Sequence, residues 1–189
     1  MEEPELAVSF NIVLSKDIQV ELRRLQEKLS SMIKDRRNYD KSPHLAICTK
    51  FMPLKTTEVY IPILENQFKD LMAFDIEFTK FEPSTTGNYI FPNLSENSRD
   101  NIFKLNEKVK NISKGIGNES PKGLPPKYHY DPHISIIKLE TYQIVKALQL
   151  LNDDFKITTM KVREIELTVE KRDKNGFATF PQKLLIKLT

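Results

Sequence analysis

The chain has 189 residues, of which 39% are hydrophobic and 29% are charged. This length and composition are typical of one globular domain and argue against a disordered chain, so we expect a single domain over residues 1–189. The 29 basic and 26 acidic side chains leave a formal net charge of +3, which is too small to indicate nucleic-acid binding from overall charge alone.

The chain opens with a predicted strand and an amphipathic helix. Apolar residues alternate over residues 6–14, the period of a strand with one buried face, and Ser9 and Asn11 lie on the opposite face. Ser15 can cap the next segment. Apolar residues at three- and four-residue spacing over residues 18–32 predict a helix there.

Predicted strands and helices alternate along most of the remaining chain. Further strands are predicted at residues 44–51, 74–81, 133–139, 162–171 and 183–188, and helices at about residues 56–72, 95–112 and 141–155. Turn residues at 173–176 join the last two strands and predict an antiparallel pair. This order favours an α/β or α+β domain with helices packed outside a sheet.

A long irregular stretch over residues 113–130 precedes the strand at residue 133. It contains three glycines, three prolines and several lysines. A loop of this length in a compact domain is either mobile or part of a binding site.

Two of the predicted strands begin with a similar sequence. Residues 39–47 read Tyr-Asp-Lys-Ser-Pro-His-Leu-Ala-Ile, and residues 130–136 read Tyr-Asp-Pro-His-Ile-Ser-Ile. A proline directly before each histidine fixes the backbone where the strand starts. The two histidines, His44 and His133, are 89 residues apart. This repeat predicts a duplicated unit that presents both histidines in similar settings.

Strand alternation predicts which residues share a face with each histidine. Residues two and four positions after a histidine lie on its face, and the intervening aliphatic residues point to the core. These positions are Ala46 and Cys48 after His44, and Ser135 and Ile137 after His133.

Two histidines on such faces suit the cleavage of a phosphodiester. One group must take a proton from the attacking hydroxyl or water, while another gives a proton to the departing oxygen. An imidazole has an ordinary pKa of about 6.5, so either form is populated near neutrality. The Ser135 hydroxyl could donate to a phosphoryl oxygen. We interpret His44 and His133 as a general acid and base pair.

At these residues the chain resembles the 2H phosphoesterase superfamily, which includes LigT-like RNA 2',5' ligases, cyclic phosphodiesterases and some RNA exonucleases. Pro-His-Leu-Ala at 43–46 and Pro-His-Ile-Ser at 132–135 are similar to its paired His-x-Thr/Ser motifs. The opening strand, the motif spacing and the closing strand pair extend the resemblance over most of the chain. It implies an α+β fold of two related αβ lobes, with mixed or antiparallel sheets, around a central groove.

The resemblance also implies catalysis without metal or cofactor on 2',3'-cyclic, 2',5'- or 3',5'-linked phosphodiesters. His44 and His133 match the two catalytic histidines, and Ser135 matches the hydroxyl of the second motif. Ala46 stands where a threonine or serine is expected. Losing a hydrogen bond to a charged group costs roughly 1.5 to 3 kcal/mol, or one to two decades of rate.

Two neighbours of Ala46 could replace the missing donor. In a regular strand Cys48 shares the face of His44 but is only a weak donor. Thr49 carries a hydroxyl, but a regular strand points it at the other face.

The resulting hypothesis is a phosphodiesterase for RNA ends, short oligonucleotides or cyclic nucleotides, with no obligate protein partner. Two alternatives stay open. A nucleotide- or RNA-binding protein that keeps the groove and has lost turnover would also fit Ala46. The third possibility is an interaction domain whose groove is incidental.

Lys127, Tyr128 and Tyr130, which all precede His133, are candidates for substrate binding. Tyr128 and Tyr130 could stack on a base, as aromatic side chains do in single-stranded RNA binders, or could pack the loop against the core. Lys127 could approach a phosphate, although a solvated loop lysine is the more common case.

A zinc site is the alternative to metal-free chemistry. His129, Asp131 and His133 alternate and would share one side of an unbroken strand, a pattern that can ligate zinc. Pro132 interrupts that strand, and no second cluster supplies a further ligand at suitable spacing. We therefore expect no metal.

The sequence also suggests a compartment. Cys48 is the single cysteine, which fits a reducing environment. The first residues are acidic, unlike a signal peptide, and no apolar stretch approaches the roughly 20 residues that span a bilayer. We expect a cytoplasmic protein with no membrane segment.

Overall fold

The structure is a computed structural model that describes residues 5–33, 43–68, 71–84, 89–118, 130, 132–134, 136–156, 158–172 and 178–189. The strands of this part are β1 (Glu5–Ile12), β2 (Leu45–Pro53), β3 (Phe74–Pro83), β4 (Tyr89–Leu94), β5 (Ile137–Lys138), β6 (Thr159–Val162), β7 (Glu164–Arg172) and β8 (Ala178–Lys187). The α-helices are α1 (Lys16–Ile33), α2 (Leu54–Phe68), α3 (Glu96–Ile112) and α4 (Ile144–Asp154), and a 3-10 turn (Thr141–Gln143) precedes α4.

The strands form two four-stranded sheets. The first has the strand order β2-β1-β7-β8 and the second has the order β5-β4-β3-β6. The pairings between these strands are all antiparallel, so of the two expected sheet types the described residues form the antiparallel one. Together with the helices, the sheets make the predicted α+β fold of two αβ lobes.

The first sheet follows from the alternation in β1. Val8, Phe10 and Ile12 are buried, whereas Ser9 and Asn11 on the opposite face are half-buried. Helix α2 packs on the buried face, where the ring centroids of Phe10 and Phe68 are 5.9 Å apart. Burying one such side chain stabilises the fold by roughly 1.5–3 kcal/mol.

The second sheet packs against α4. Phe155, which directly follows α4, makes edge-on ring contacts with Phe78 and Phe81 of β3 at centroid distances of 6.2 and 5.0 Å. Buried residues from both sheets and from α1 to α4 belong to one hydrophobic cluster. The core therefore continues from one lobe into the other.

Several strands differ from the prediction. The sequence misses β4, which has six residues and contains Pro92. The strand predicted over residues 162–171 is β7, and the sequence also misses most of β6, which precedes β7 and lies in the other sheet. Of the strand predicted over residues 133–139, the structure has β5 and an isolated bridge at Ile134. The closing antiparallel pair is confirmed as β7 and β8.

The predicted helices are all present, with shifted ends. Helix α2 ends at Phe68, before the expected end at about residue 72, and α4 is shorter than expected because its first turn is 3-10 helix. Residues 113–118 of the predicted loop include Asn118, which forms an isolated bridge with Phe51 of β2. Residues 119–129 and the predicted turn at 173–176 lie outside the described residues.

The helices of the described part are too short or too polar to cross a lipid bilayer.

Candidate active site

An isolated antiparallel bridge connects the two segments that carry the histidines. Leu45 at the start of β2 pairs with Ile134, and these residues directly follow His44 and His133. In an antiparallel pair the residue after Leu45 lies opposite the residue before Ile134, so Ala46 lies opposite His133. The two histidines are therefore diagonal neighbours across the bridge, a relationship that places Cα atoms about 7–8 Å apart in regular pairing.

Both histidines lie on the accessible side of the bridge. Leu45 and Ile134 are 0% and 1% exposed, so their side chains point into the core. The residues before them alternate to the other side, and both His44 and His133 are exposed. The two imidazoles thus share one exposed face beside a single backbone bridge. Acid and base groups need this proximity to act on one phosphate.

A β-bulge changes the face of the residues that follow Ala46. Phe10 of β1 pairs with Cys48, whereas Asn11 pairs with Ala46, so Ile47 is an extra residue in β2. Beyond the bulge, Ser9 pairs with Thr49, and their hydroxyl oxygens are 3.1 Å apart. Directly paired residues share a face of the sheet.

The bulge overturns two expectations about the first motif. Because Asn11 and Ser9 share a face of β1, their partners Ala46 and Thr49 share a face as well. Thr49 therefore lies on the face that carries His44 and His133, here called the histidine face. Cys48 lies on the core face with Phe10. The prediction from regular alternation is wrong for both residues because the extra residue reverses the alternation.

The segment after His133 shows a similar change. Ile134 and Ile136 are buried as predicted, but Ile137 is also buried at 3% exposure and pairs with Ile90 of β4. Ile137 was expected on the face of His133. Two consecutive buried residues show that the alternation also shifts here, three residues after the histidine.

A buried side-chain amide binds the backbone at each of these shifts. Asn106 Nδ2 of α3 donates a hydrogen bond of 2.6 Å to the carbonyl oxygen of Ile47. Gln26 Nε2 of α1 donates one of 2.7 Å to the carbonyl oxygen of Ile136. An irregular strand leaves backbone groups unpaired, so these amides satisfy carbonyls that would otherwise be buried without a partner.

One aromatic contact of His133 comes from the strand that the sequence misses. The ring of Phe91 in β4 lies 5.8 Å from the ring of His133, tilted by 48°. Phe91 is half-buried, so it can limit the movement of the exposed imidazole. The sequence holds no local signal for this pairing, because Phe91 and His133 are far apart in the chain.

Tyr130 anchors the chain shortly before His133. Its hydroxyl donates a hydrogen bond of 2.9 Å to the carbonyl oxygen of Ala46. Its ring packs edge-on against Phe103 of α3 at a centroid distance of 5.7 Å. These contacts are those of a residue that fixes the histidine segment to β2, and stacking of Tyr130 on a base stays a prediction.

Other predicted site residues lie outside the described part of the chain. These are Ser135, Tyr128 and Lys127, together with His129 and Asp131 of the zinc alternative. Within the described ranges, no three His, Cys, Asp or Glu side chains are grouped so that they could hold a metal ion.

Solved structures with a similar fold cover the whole chain. E. coli LigT in its apo form aligns with a TM-score of 0.65 and 14% sequence identity, over 100% of this chain and 99% of LigT. The chain has the fold of LigT. The α+β fold that the resemblance implies is thereby confirmed.

The LigT fold extends to proteins from other organisms. TT0787 of Thermus thermophilus aligns with a TM-score of 0.58 and 13% identity, over 96% of this chain and 97% of TT0787. Kluyveromyces marxianus Usb1 aligns with a TM-score of 0.51 and 11% identity, over 99% of both chains. LigT itself has also been solved with 3'-AMP and with phosphate. No protein-family model and no curated protein matches the chain in sequence.

Proposed function

We propose that this protein is a phosphodiesterase that cleaves RNA-type phosphodiesters with two histidines and no metal or cofactor. The observation that carries the proposal is the Leu45–Ile134 bridge, because each of its residues follows a histidine and both histidines are exposed. Two diagonal imidazoles on one face can approach opposite sides of the same phosphorus.

In the proposed reaction one histidine acts as base and the other as acid. The base removes a proton from water or from a neighbouring ribose hydroxyl, and the resulting oxygen forms a bond to phosphorus. The acid gives its proton to the leaving ribose oxygen as the bond from phosphorus to that oxygen breaks. Both protons are accounted for within the pair His44 and His133, so the reaction requires no metal-bound water.

The proposed substrate is the end of an RNA, a short oligonucleotide or a cyclic nucleotide. LigT, which has the same fold, binds 3'-AMP and phosphate in solved structures. In our proposal Ser135 donates to a phosphoryl oxygen, Tyr128 and Tyr130 contact the base, and Lys127 approaches a phosphate. The proposed site of action is the cytoplasm.

The proposal is tested with a substrate panel. Purified protein is incubated with 2',3'-cyclic nucleotides and with 2',5'- and 3',5'-linked oligonucleotides, and the products are identified by mass. His44→Ala and His133→Ala should each lower turnover by about 10²- to 10⁴-fold, because either change leaves one proton transfer unassisted. Tyr142→Ala is the control, since Tyr142 is 82% exposed and lies on the 3-10 turn. Turnover that survives both histidine substitutions would contradict the proposal.

A second candidate function is nucleotide or RNA binding without turnover. This candidate is favoured by Ala46, because alanine has no hydroxyl where the resemblance leads us to expect a threonine or serine. Protein that binds an oligonucleotide of the panel, with an affinity that depends on His44 and His133, but releases no product would support this candidate. Saturable turnover excludes it.

A further inference from the structure

Ala46, where the hydroxyl is missing, lies between a histidine and an asparagine. Across the bridge it faces His133, and on its other side it pairs directly with Asn11 of β1. Directly opposed residues of an antiparallel pair share a face, with Cβ atoms about 4.5–5.5 Å apart. Asn11 is therefore on the histidine face, one strand away from His133.

The side chain of Asn11 has the chemistry that the motif lacks. Its carboxamide nitrogen carries two N–H donors and stands one bond farther from the backbone than a threonine hydroxyl. It can therefore extend above the methyl group of Ala46. Within the described part of the chain the Asn11 side chain makes no hydrogen bond, and the residue is half-buried. Its donors are available to a ligand on this face.

Other side-chain donors near Ala46 are less suited to replace the missing hydroxyl. Thr49 shares the face, but it lies beyond the bulge, and its hydroxyl is engaged with that of Ser9 at 3.1 Å. Cys48 lies on the core face with Phe10. Asn11 is thus the side-chain donor that the strand register brings directly beside Ala46.

The charge on the far side of Asn11 is compensated. Asn11 pairs with Glu166 of β7, whose carboxylate accepts hydrogen bonds from Lys183 Nζ at 3.0 and 3.2 Å and from the Thr168 hydroxyl at 3.1 Å. Lys183 lies on β8, on the opposite side of β7 from Asn11. This ion pair offsets the negative charge that would otherwise repel a phosphate near Asn11.

We propose that Asn11 is a catalytic residue whose side-chain amide donates a hydrogen bond to a non-bridging phosphoryl oxygen, in place of the hydroxyl absent at Ala46. The phosphoryl group is the one at which His44 and His133 transfer protons, so this inference rests on the proposed function. It adds that the first motif is completed from β1 and not from within β2.

The first test is the rate of cleavage. Asn11→Ala should lower kcat by roughly 10- to 100-fold, the effect of removing one hydrogen bond to a charged group. Asn11→Asp keeps the shape but places a negative charge beside the phosphate, so its rate should be lower still. Asn97→Ala is the matched control, because Asn97 is exposed in the first turn of α3, and its kcat should equal that of the wild type.

The second test is rescue. In the Asn11→Ala background, Ala46→Thr places a hydroxyl in the motif and should restore most of the lost kcat. A residue that only supports the fold would not be rescued by a hydroxyl on the neighbouring strand. Circular dichroism and thermal unfolding of each variant establish that the protein is folded.

A binding measurement separates this inference from the proposed function. Inorganic phosphate is titrated into wild-type protein and into Asn11→Ala by calorimetry, and the variant should bind phosphate more weakly whether or not the wild type turns over. Histidine-dependent turnover with an unchanged kcat in Asn11→Ala would overturn the inference and leave the proposed function intact. Absence of turnover in the wild type would overturn the proposed function. If the wild type and Asn11→Ala then bind phosphate with equal affinity, the role of Asn11 is overturned as well.

Discussion

Gln26 and Asn106 occupy the same position in two helices and make equivalent contacts. Each is the eleventh residue of its helix, α1 for Gln26 and α3 for Asn106. Each donates a buried hydrogen bond to the carbonyl three residues after a histidine, at Ile136 and at Ile47 respectively. The repeat between the lobes therefore includes the helices that support the histidine segments as well as the motifs themselves.

The two amides should contribute to stability. Gln26→Leu and Asn106→Leu each leave a buried carbonyl without a donor, so each should lower the free energy of unfolding by roughly 1–3 kcal/mol. The measurement is urea denaturation at neutral pH. Gln149→Leu and Asn97→Leu replace exposed amides on helices and should change the free energy by less than about 0.5 kcal/mol. Equal effects of the buried and exposed substitutions would contradict the assigned role.

Restoring the hydroxyl of the first motif should raise the rate. Ala46→Ser and Ala46→Thr place a donor beside His133 on the histidine face, and kcat should increase by up to about tenfold. The gain should be smaller in the wild type than in Asn11→Ala, because Asn11 supplies a donor at the same place. A rate that stays unchanged or falls in both backgrounds would mean that this motif works differently from those it resembles.

Phe91 should position the imidazole of His133. An aromatic contact of this kind contributes about 0.5–1.5 kcal/mol, so Phe91→Leu should lower kcat by roughly two- to tenfold with little change in KM. The dependence of kcat on pH should also change, because removing the Phe91 ring alters the surroundings of the His133 imidazole that transfers a proton. Tyr142→Leu is an exposed aromatic control. An unchanged kcat and pH profile in Phe91→Leu would rule out the positioning role.

Activity should not depend on a metal ion. Proton transfer between two imidazoles and substrate needs no Lewis acid, so turnover should persist after extensive dialysis against EDTA. Assays before and after dialysis, with zinc and magnesium added back, provide the measurement. Full loss that zinc reverses would support the alternative site at His129, Asp131 and His133.

The contact between α1 and α4 should depend on pH. The hydrogen bond from Lys28 holds the pKa of the Asp154 carboxyl below its ordinary value, with Arg24 adding a smaller effect. A lowered pKa contributes stability above the ordinary value of about 4 that is lost as the pH falls through the folded value. The Tm difference between wild type and Asp154→Asn should be small at pH 7, and it should shrink as the pH falls below about 4 and in high salt. A constant difference across pH would contradict it.

Periodicity in the sequence predicted the long amphipathic elements but not the irregular ones. Helices α1 and α3 and strand β1 follow clear repeats, so their positions were predictable. Strand β4 is short and contains Pro92, which weakens a strand signal. Strand β6 has four residues, and Arg163 alone separates it from β7, so its short alternation does not mark it as a separate strand. Such breaks depend on partners that are distant in sequence.

At the candidate site the sequence indicated the two histidines but not the side chains that lie around them. His44 and His133 stand out because their sequence context is repeated. The side on which Thr49 and Cys48 lie depends on a single extra residue, Ile47, and a bulge has no period of its own. The position of Asn11 beside Ala46 follows from that register. The sequence does not show this position, because it depends on how β1 pairs with β2.

The bridge that brings the histidines together also protects an edge of the first sheet. Strand β2 is the outermost strand on that side, and an open edge strand is a template for aggregation. Its start is covered by Ile134, its middle by the amide of Asn106, and Phe51 exchanges two backbone hydrogen bonds of 2.8 Å with Asn118. Substitutions that separate the two lobes at the bridge should therefore make the protein prone to self-association, so that solubility and catalysis are lost together.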